Sequence, residues 1–156
     1  MRVYVVGSLR SDTVPLTSKI LREAGHDVFD DWFGAGPRAD DEWKAYYQSR
    51  GFTLAEALKS PLVQHIVALD RQWLLWADAV VLAMPAGKSA HIELTWAAMQ
   101  GDKRCIVYMP DDEEDPRWDA MYALIPHLVI AHTEEELLSA LEPVANWKPA
   151  DAERLC

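Results

Sequence analysis

Short continuous apolar runs alternate along this chain with stretches whose apolar residues recur every three or four positions. Val3-Tyr4-Val5-Val6, Ala79-Val80-Val81-Leu82-Ala83 and the segment from Arg104 to Met109 show the first pattern. It is the pattern of strands covered on both faces of a parallel sheet. His26 to Phe29 and His127 to Ala131 read as two shorter strands of the same kind. Leu16, Ile20 and Leu21 give Thr13 to Glu23 a helical period, with Gly25 as its stop. Leu62, Ile66, Leu69, Trp73 and Trp76 form a longer helical stripe that starts at Ser60-Pro61. Leu94 to Met99 continues a helix after the third strand. Trp118 to Leu124 reads as a short helix, and Glu134 to Leu141 as a last one, opened by Thr133 and Glu136 at capping-box spacing.

This alternation predicts an α/β three-layer sandwich with a five-stranded parallel sheet in the flavodoxin-like order 2-1-3-4-5. Residues 1–145 read as one domain and 146–156 as a tail. A polar helix from Ala39 to Arg50, carrying Trp43, Tyr46 and Tyr47, and a short helix capped by Thr53 make residues 30–64 an insertion over the strand ends. An alternative reading packs those aromatics inward. The sheet's switch point falls between strands one and three. It brings the turn at Gly7 to Arg10 and the loop from Ala86 to Glu93 into one crevice.

Composition narrows the function. With 156 residues, half of them hydrophobic, the chain can bury a sizeable core, yet no apolar run is long enough to span a bilayer. The strand-like N-terminus does not resemble a signal peptide, so a cytoplasmic protein is expected. Cys105 and Cys156 form neither a disulfide framework nor a metal site, and Asp111 to Asp115 reads as a solvated acidic loop. A net charge of −10 disfavours duplex nucleic acid as a partner, while a local nest of N–H groups with one arginine still suits a small anion. Seven tryptophans, several among acidic residues, point to an aromatic-lined site.

Two carboxylates stand out. Glu93 is expected in the opening turn of its helix, where free N–H groups and the macrodipole keep it ionised. Asp70 lies beside an apolar helix face, where desolvation raises a carboxyl pKa and suits proton transfer. Each also has a plainer reading, Glu93 as a dipole partner and Asp70 as a boundary residue paired with Arg71. Ser8 and Arg10 add a hydroxyl and a guanidinium to the first turn, which can also be a turn and nothing more. Asp78 is taken as a residue of the turn that starts the third strand.

Four segments carry a resemblance to a known family. Tyr4-Val5-Val6-Gly7-Ser8-Leu9-Arg10 is similar to a strand followed by Gly-Ser-Ile-Arg. Asp70 to Asp78 is similar to Asp-x-x-Trp-Leu-x-x-Ala-Asp. Ala79 to Ala83 matches an apolar strand, and Glu93-Leu94-Thr95-Trp96-Ala97 with Lys103-Arg104 resembles Glu-Leu-Gly-x-Ala and a following Lys-Arg. In this order they resemble the nucleoside 2-deoxyribosyltransferase superfamily, nearest its 2′-deoxynucleoside 5′-monophosphate N-glycosidase branch. The resemblance implies that Glu93 attacks the anomeric carbon and that Asp70 handles the proton of the departing base. It implies that the turn of Gly7, Ser8, Leu9 and Arg10 and the serine of the second loop, Ser89, bind the 5′ end of the substrate. Gly87 and His91 of that loop are taken as further substrate-binding candidates. Asp31, Trp32 and Tyr47 of the insertion are assigned to the base wall. It also implies a small nucleotide or nucleoside substrate, no cofactor, and a homodimer or larger assembly. The sequence departs from the branch in three places. The loop before Glu93 is one residue shorter, Lys88 and His91 replace small residues, and Ser11 and Asp12 stand where glycines follow the first turn.

Cleaving an N-glycosidic bond builds positive charge on the sugar and negative charge on the base, and two carboxyl groups in different states answer both. Water as acceptor gives hydrolysis, and a second base gives transfer. The alternatives are a deoxyribosyltransferase, a nucleotide-binding module without catalysis, an NAD-cleaving domain of related fold, and a partner-binding protein that uses the tryptophan-rich insertion.

Overall fold

A computed structural model describes residues 1–110 and 120–142. The acidic loop at Asp111 to Asp115, the first two residues of the helix expected from Trp118, and the tail at 146–156 lie outside the described residues.

Five strands form one parallel sheet: β1 (Arg2–Val6), β2 (Asp27–Phe29), β3 (Ala79–Ala83), β4 (Arg104–Tyr108) and β5 (Val129–Ala131), in the order β2-β1-β3-β4-β5. Tyr4 lies opposite Phe29 on one side and Val80 on the other, and Leu82 lies opposite Val107. β5 starts later than its apolar run because His127 takes a left-handed backbone (φ 57°), which ends the preceding turn rather than opening a strand.

Alternation along the strands divides the core in two. Tyr4, Val6, Val80, Leu82, Cys105 and Val107 face helices α4 (Pro61–Trp76) and α5 (Lys88–Ala98). Val3, Val5, Val81, Ala83 and Ile106 face α1 (Thr13–Glu23) and α6 (Glu134–Leu141) through Val14, Leu21, Leu137 and Leu141. The result is the expected three-layer sandwich. Local sequence sets the helix ends. Thr133 and Glu136 form a reciprocal capping box, and the Ser60 hydroxyl accepts the Val63 N–H ahead of Pro61 at the first helical position.

The insertion comprises a 3-10 turn (Asp31–Ala35), α2 (Ala39–Ser49) and α3 (Leu54–Ala57). Its own small core is Tyr47, Ala57 and Val63, with Trp43 against it. β2 stops at Phe29, and the Trp32 indole N–H donates to the Val5 carbonyl at 2.8 Å, just past the last β1–β2 pair. Trp32 therefore finishes the ladder while packing on both core clusters.

One expectation holds only in part. Leu62, Ile66 and Leu69 of the α4 stripe are exposed at about 40% each. Trp73 and Trp76 of the same stripe pack on the sheet's core beside Leu74 and Ala77, while Val63 packs in the insertion's cluster. An apolar helix this broad has more than one face at core spacing, and the stripe meets the core only near its C-terminal end. No helix among the described residues is long and apolar enough to cross a membrane.

Candidate active site

The loop after β3 places the first acid. α5 is capped by Gly87, in extended backbone with no side-chain cap, so the helix already runs from Lys88. Glu93 is the sixth residue and sits in the second turn, not the opening one. The free N–H groups of the terminus do not reach it, and the expected ionised state is corrected accordingly. Burial, the nearby Asp70 charge and, more weakly, Asp40 push its pKa up to about 8.

A group absent from the sequence-based site opposes that rise. The Tyr4 hydroxyl donates to Glu93 Oε2 at 2.9 Å and favours the ionised carboxylate. Tyr4 is 1% exposed in the middle of β1, and burial raises its own pKa, so it remains a donor. The signal for it was a single phenol among the valines of β1, on the strand face opposite Val3 and Val5.

Asp70 comes from the inward face of α4 and is half-buried. Desolvation, with a smaller contribution from the Asp40 charge, raises its pKa to about 6. Two helices and β1 thus hold Glu93, Asp70 and Tyr4 within electrostatic reach of one another. Asp40, in the first turn of α2, is the third carboxylate acting on this pair. Among the described residues, no group of three or more His, Cys, Asp or Glu is arranged to hold a metal ion.

The first turn stands at the C-terminal end of β1. Gly7 is required there by close approach: a Cβ would lie 2.6 Å from Val14 Cγ2 and 2.7 Å from the Ala83 carbonyl oxygen. The Arg10 backbone N–H donates to Ser8 Oγ at 3.2 Å, and Leu9 is half-buried between them. The Arg10 guanidinium is not free, because it pairs with Asp41 of α2.

In the second loop Gly87 has open space around it, and Ser89 is exposed as the second residue of α5. His91 braces this loop. Its Nδ1 lies 2.7 Å from the Gly87 carbonyl and its Nε2 2.8 Å from the Tyr122 hydroxyl, with the two rings stacked. A carbonyl only accepts, so Nδ1 carries the proton, and in the neutral ring Nε2 accepts from Tyr122. Of the three residues assigned to the base wall, Trp32 stands at the end of β1. Tyr47 is 8% exposed inside the insertion's core, edge-on to Tyr46 and Phe52. Asp31 is exposed and acts on Arg22 of α1. Asp78, expected as a turn residue, also ties the sheet's other end by pairing with the backbone N–H and guanidinium of Arg2.

No family model and no curated protein matches the chain. Among solved structures it is similar to the CMP N-glycosidase BcmB of Clostridium botulinum, with 17% identity over 90% of this chain and 98% of that chain and a TM-score of 0.51. The two share a fold. The likeness spans 98% of that chain, so it is one of overall architecture rather than of a local motif.

Proposed function

We propose that this chain is an N-glycosidase that cleaves the base–sugar bond of a nucleoside 5′-monophosphate. The observation that carries the reading is the pair of raised carboxyls, Glu93 of α5 at about 8 and Asp70 of α4 at about 6, with the Tyr4 hydroxyl on Glu93. Such a pair retains one proton at neutral pH, because the second ionisation is opposed by the first. One carboxylate and one carboxylic acid are what glycosidic cleavage needs.

In the free protein the higher value places that proton on Glu93, so the reading requires it to pass to Asp70 when substrate binds. The Glu93 carboxylate, supported by Tyr4, then attacks C1′ as the C1′–N bond breaks. Asp70 gives its proton to the departing base. Water then attacks C1′ of the glycosyl ester, Asp70 takes the water proton, and Glu93 leaves as a carboxylate. The sugar 5-phosphate and the free base are the products. The Gly7-to-Arg10 turn and Ser89 receive the 5′-phosphate. BcmB is a CMP N-glycosidase, which supports a nucleotide as the substrate class here. The exposed Leu62, Ile66 and Leu69 support a self-associating protein, since apolar patches of this kind mark interfaces.

The test is chromatographic analysis of a panel of ribo- and deoxynucleoside monophosphates. Wild type releases free base, E93Q releases none, and D70N is slowed by about 10²–10⁴. Intact substrates throughout, or base release undiminished in E93Q, removes the reading. Base exchange in the presence of a second free base identifies transfer as an accompanying reaction.

A further inference from the structure

The first turn of α2, Asp40-Asp41-Glu42, meets the site in two ways. Asp40 acts on the acid pair, while Asp41 holds Arg10, the cation of the Gly7-to-Arg10 turn. Both partners of that ion pair are about 60% exposed. An ion pair so open to water is weak and exchanges readily. Asp41 also has Lys44 at 3.9 Å, and Glu42 pairs with Arg38 at 3.2 Å.

Released, Arg10 would present a planar fork beside the Ser8 hydroxyl, a geometry matched to phosphate. Held by Asp41, its charge is cancelled, and an incoming phosphate meets the carboxylates of Asp40 and Asp41 instead. We infer that Asp41 is a specificity-determining residue that competes with the substrate's phosphate for Arg10, so that a nucleotide binds by displacing a carboxylate from the guanidinium. The inference rests on the reading that Arg10 receives the 5′-phosphate.

The test is calorimetric titration of inorganic phosphate, at low ionic strength, into the full chain as wild type, D41N, E42Q and R10Q. D41N tightens phosphate about fivefold, the scale of an exposed ion pair. E42Q removes the same charge from the same turn and leaves affinity unchanged, R10Q loses binding, and added salt shrinks the D41N gain. Affinity unmoved or weakened in D41N overturns the inference. So does an equal gain in E42Q, or no phosphate binding by either wild type or D41N. The readout needs no turnover. Phosphate tightening without base release from any nucleotide supports the competition and removes the glycosidase reading, whereas base release with D41N affinity unmoved does the reverse.

Discussion

Replacing Glu93 by glutamine is expected to stabilise the fold at alkaline pH while ending its activity. The side chain keeps its shape, and its amide oxygen can still accept from Tyr4. In wild type the carboxyl titrates near 4.5 when unfolded and near 8 when folded. Below about pH 4.5 both states hold the proton and the residue contributes no pH dependence. As pH rises, the unfolded chain releases the proton first and the folded chain retains it, so stability falls until the folded carboxyl also ionises near pH 8. At about 1.4 kcal/mol per pH unit, the interval from 4.5 to about 8 amounts to about 5 kcal/mol. That is an upper bound, because Asp70 ionises over part of the same range and shares the effect. Urea denaturation at pH 4 and pH 9 checks it. E93Q and wild type should have similar midpoints at the lower pH, and E93Q should lead by several kcal/mol at the higher. Parallel curves at both values would refute the claim that burial and a like charge hold Glu93 in its neutral form.

Three further outcomes follow from the same structure. Tyr4→Phe leaves the ring in the core and removes the donor to Glu93; a hydrogen bond to a charged group is worth about 1.5–3 kcal/mol, so the acidic limb of the kcat/KM profile should move to higher pH by one unit or more. Gly7→Ala forces a methyl group against Val14 and the Ala83 carbonyl and should cost about 1–3 kcal/mol by denaturation, with loss of activity from the displaced turn. Ile66→Glu puts a charge on the exposed apolar side of α4 and should abolish the self-association proposed for that face, read as a lower sedimentation coefficient than wild type with circular dichroism unchanged.

The sheet was readable because β1, β3 and β4 are apolar runs with no competing period, and because the turn residues fall where the strands end. Capping at Thr133 and Ser60 was equally plain, since the side chains that start those helices are the ones that cap them. α5 was different. Its cap is a glycine with no side-chain signal, so the helix start was placed too late and Glu93 too near the terminus. The outward turn of Leu62, Ile66 and Leu69 was hidden for another reason: spacing records that residues share a side, not what that side faces. Tyr4, Asp40 and Asp41 depend on how distant segments meet. A tyrosine inside a strand reads as core until α5 is placed over it, and acids opening α2 read as a solvated turn until the insertion is laid beside Arg10.

The division of β1 between two cores bears on how a correctly folded molecule can be recognised. Tyr4 stands between Phe29 and Val80 in the ladder, and its neighbours Val3 and Val5 point the opposite way. A slip of one residue in threading this interior strand would turn the phenol toward α1 and leave Glu93 facing an aliphatic side chain. Misthreaded chains could keep their circular dichroism spectrum, yet they would lack the contact on which turnover is proposed to depend. Specific activity would then act as a proofreading signal for strand alignment, one that bulk spectroscopy does not provide.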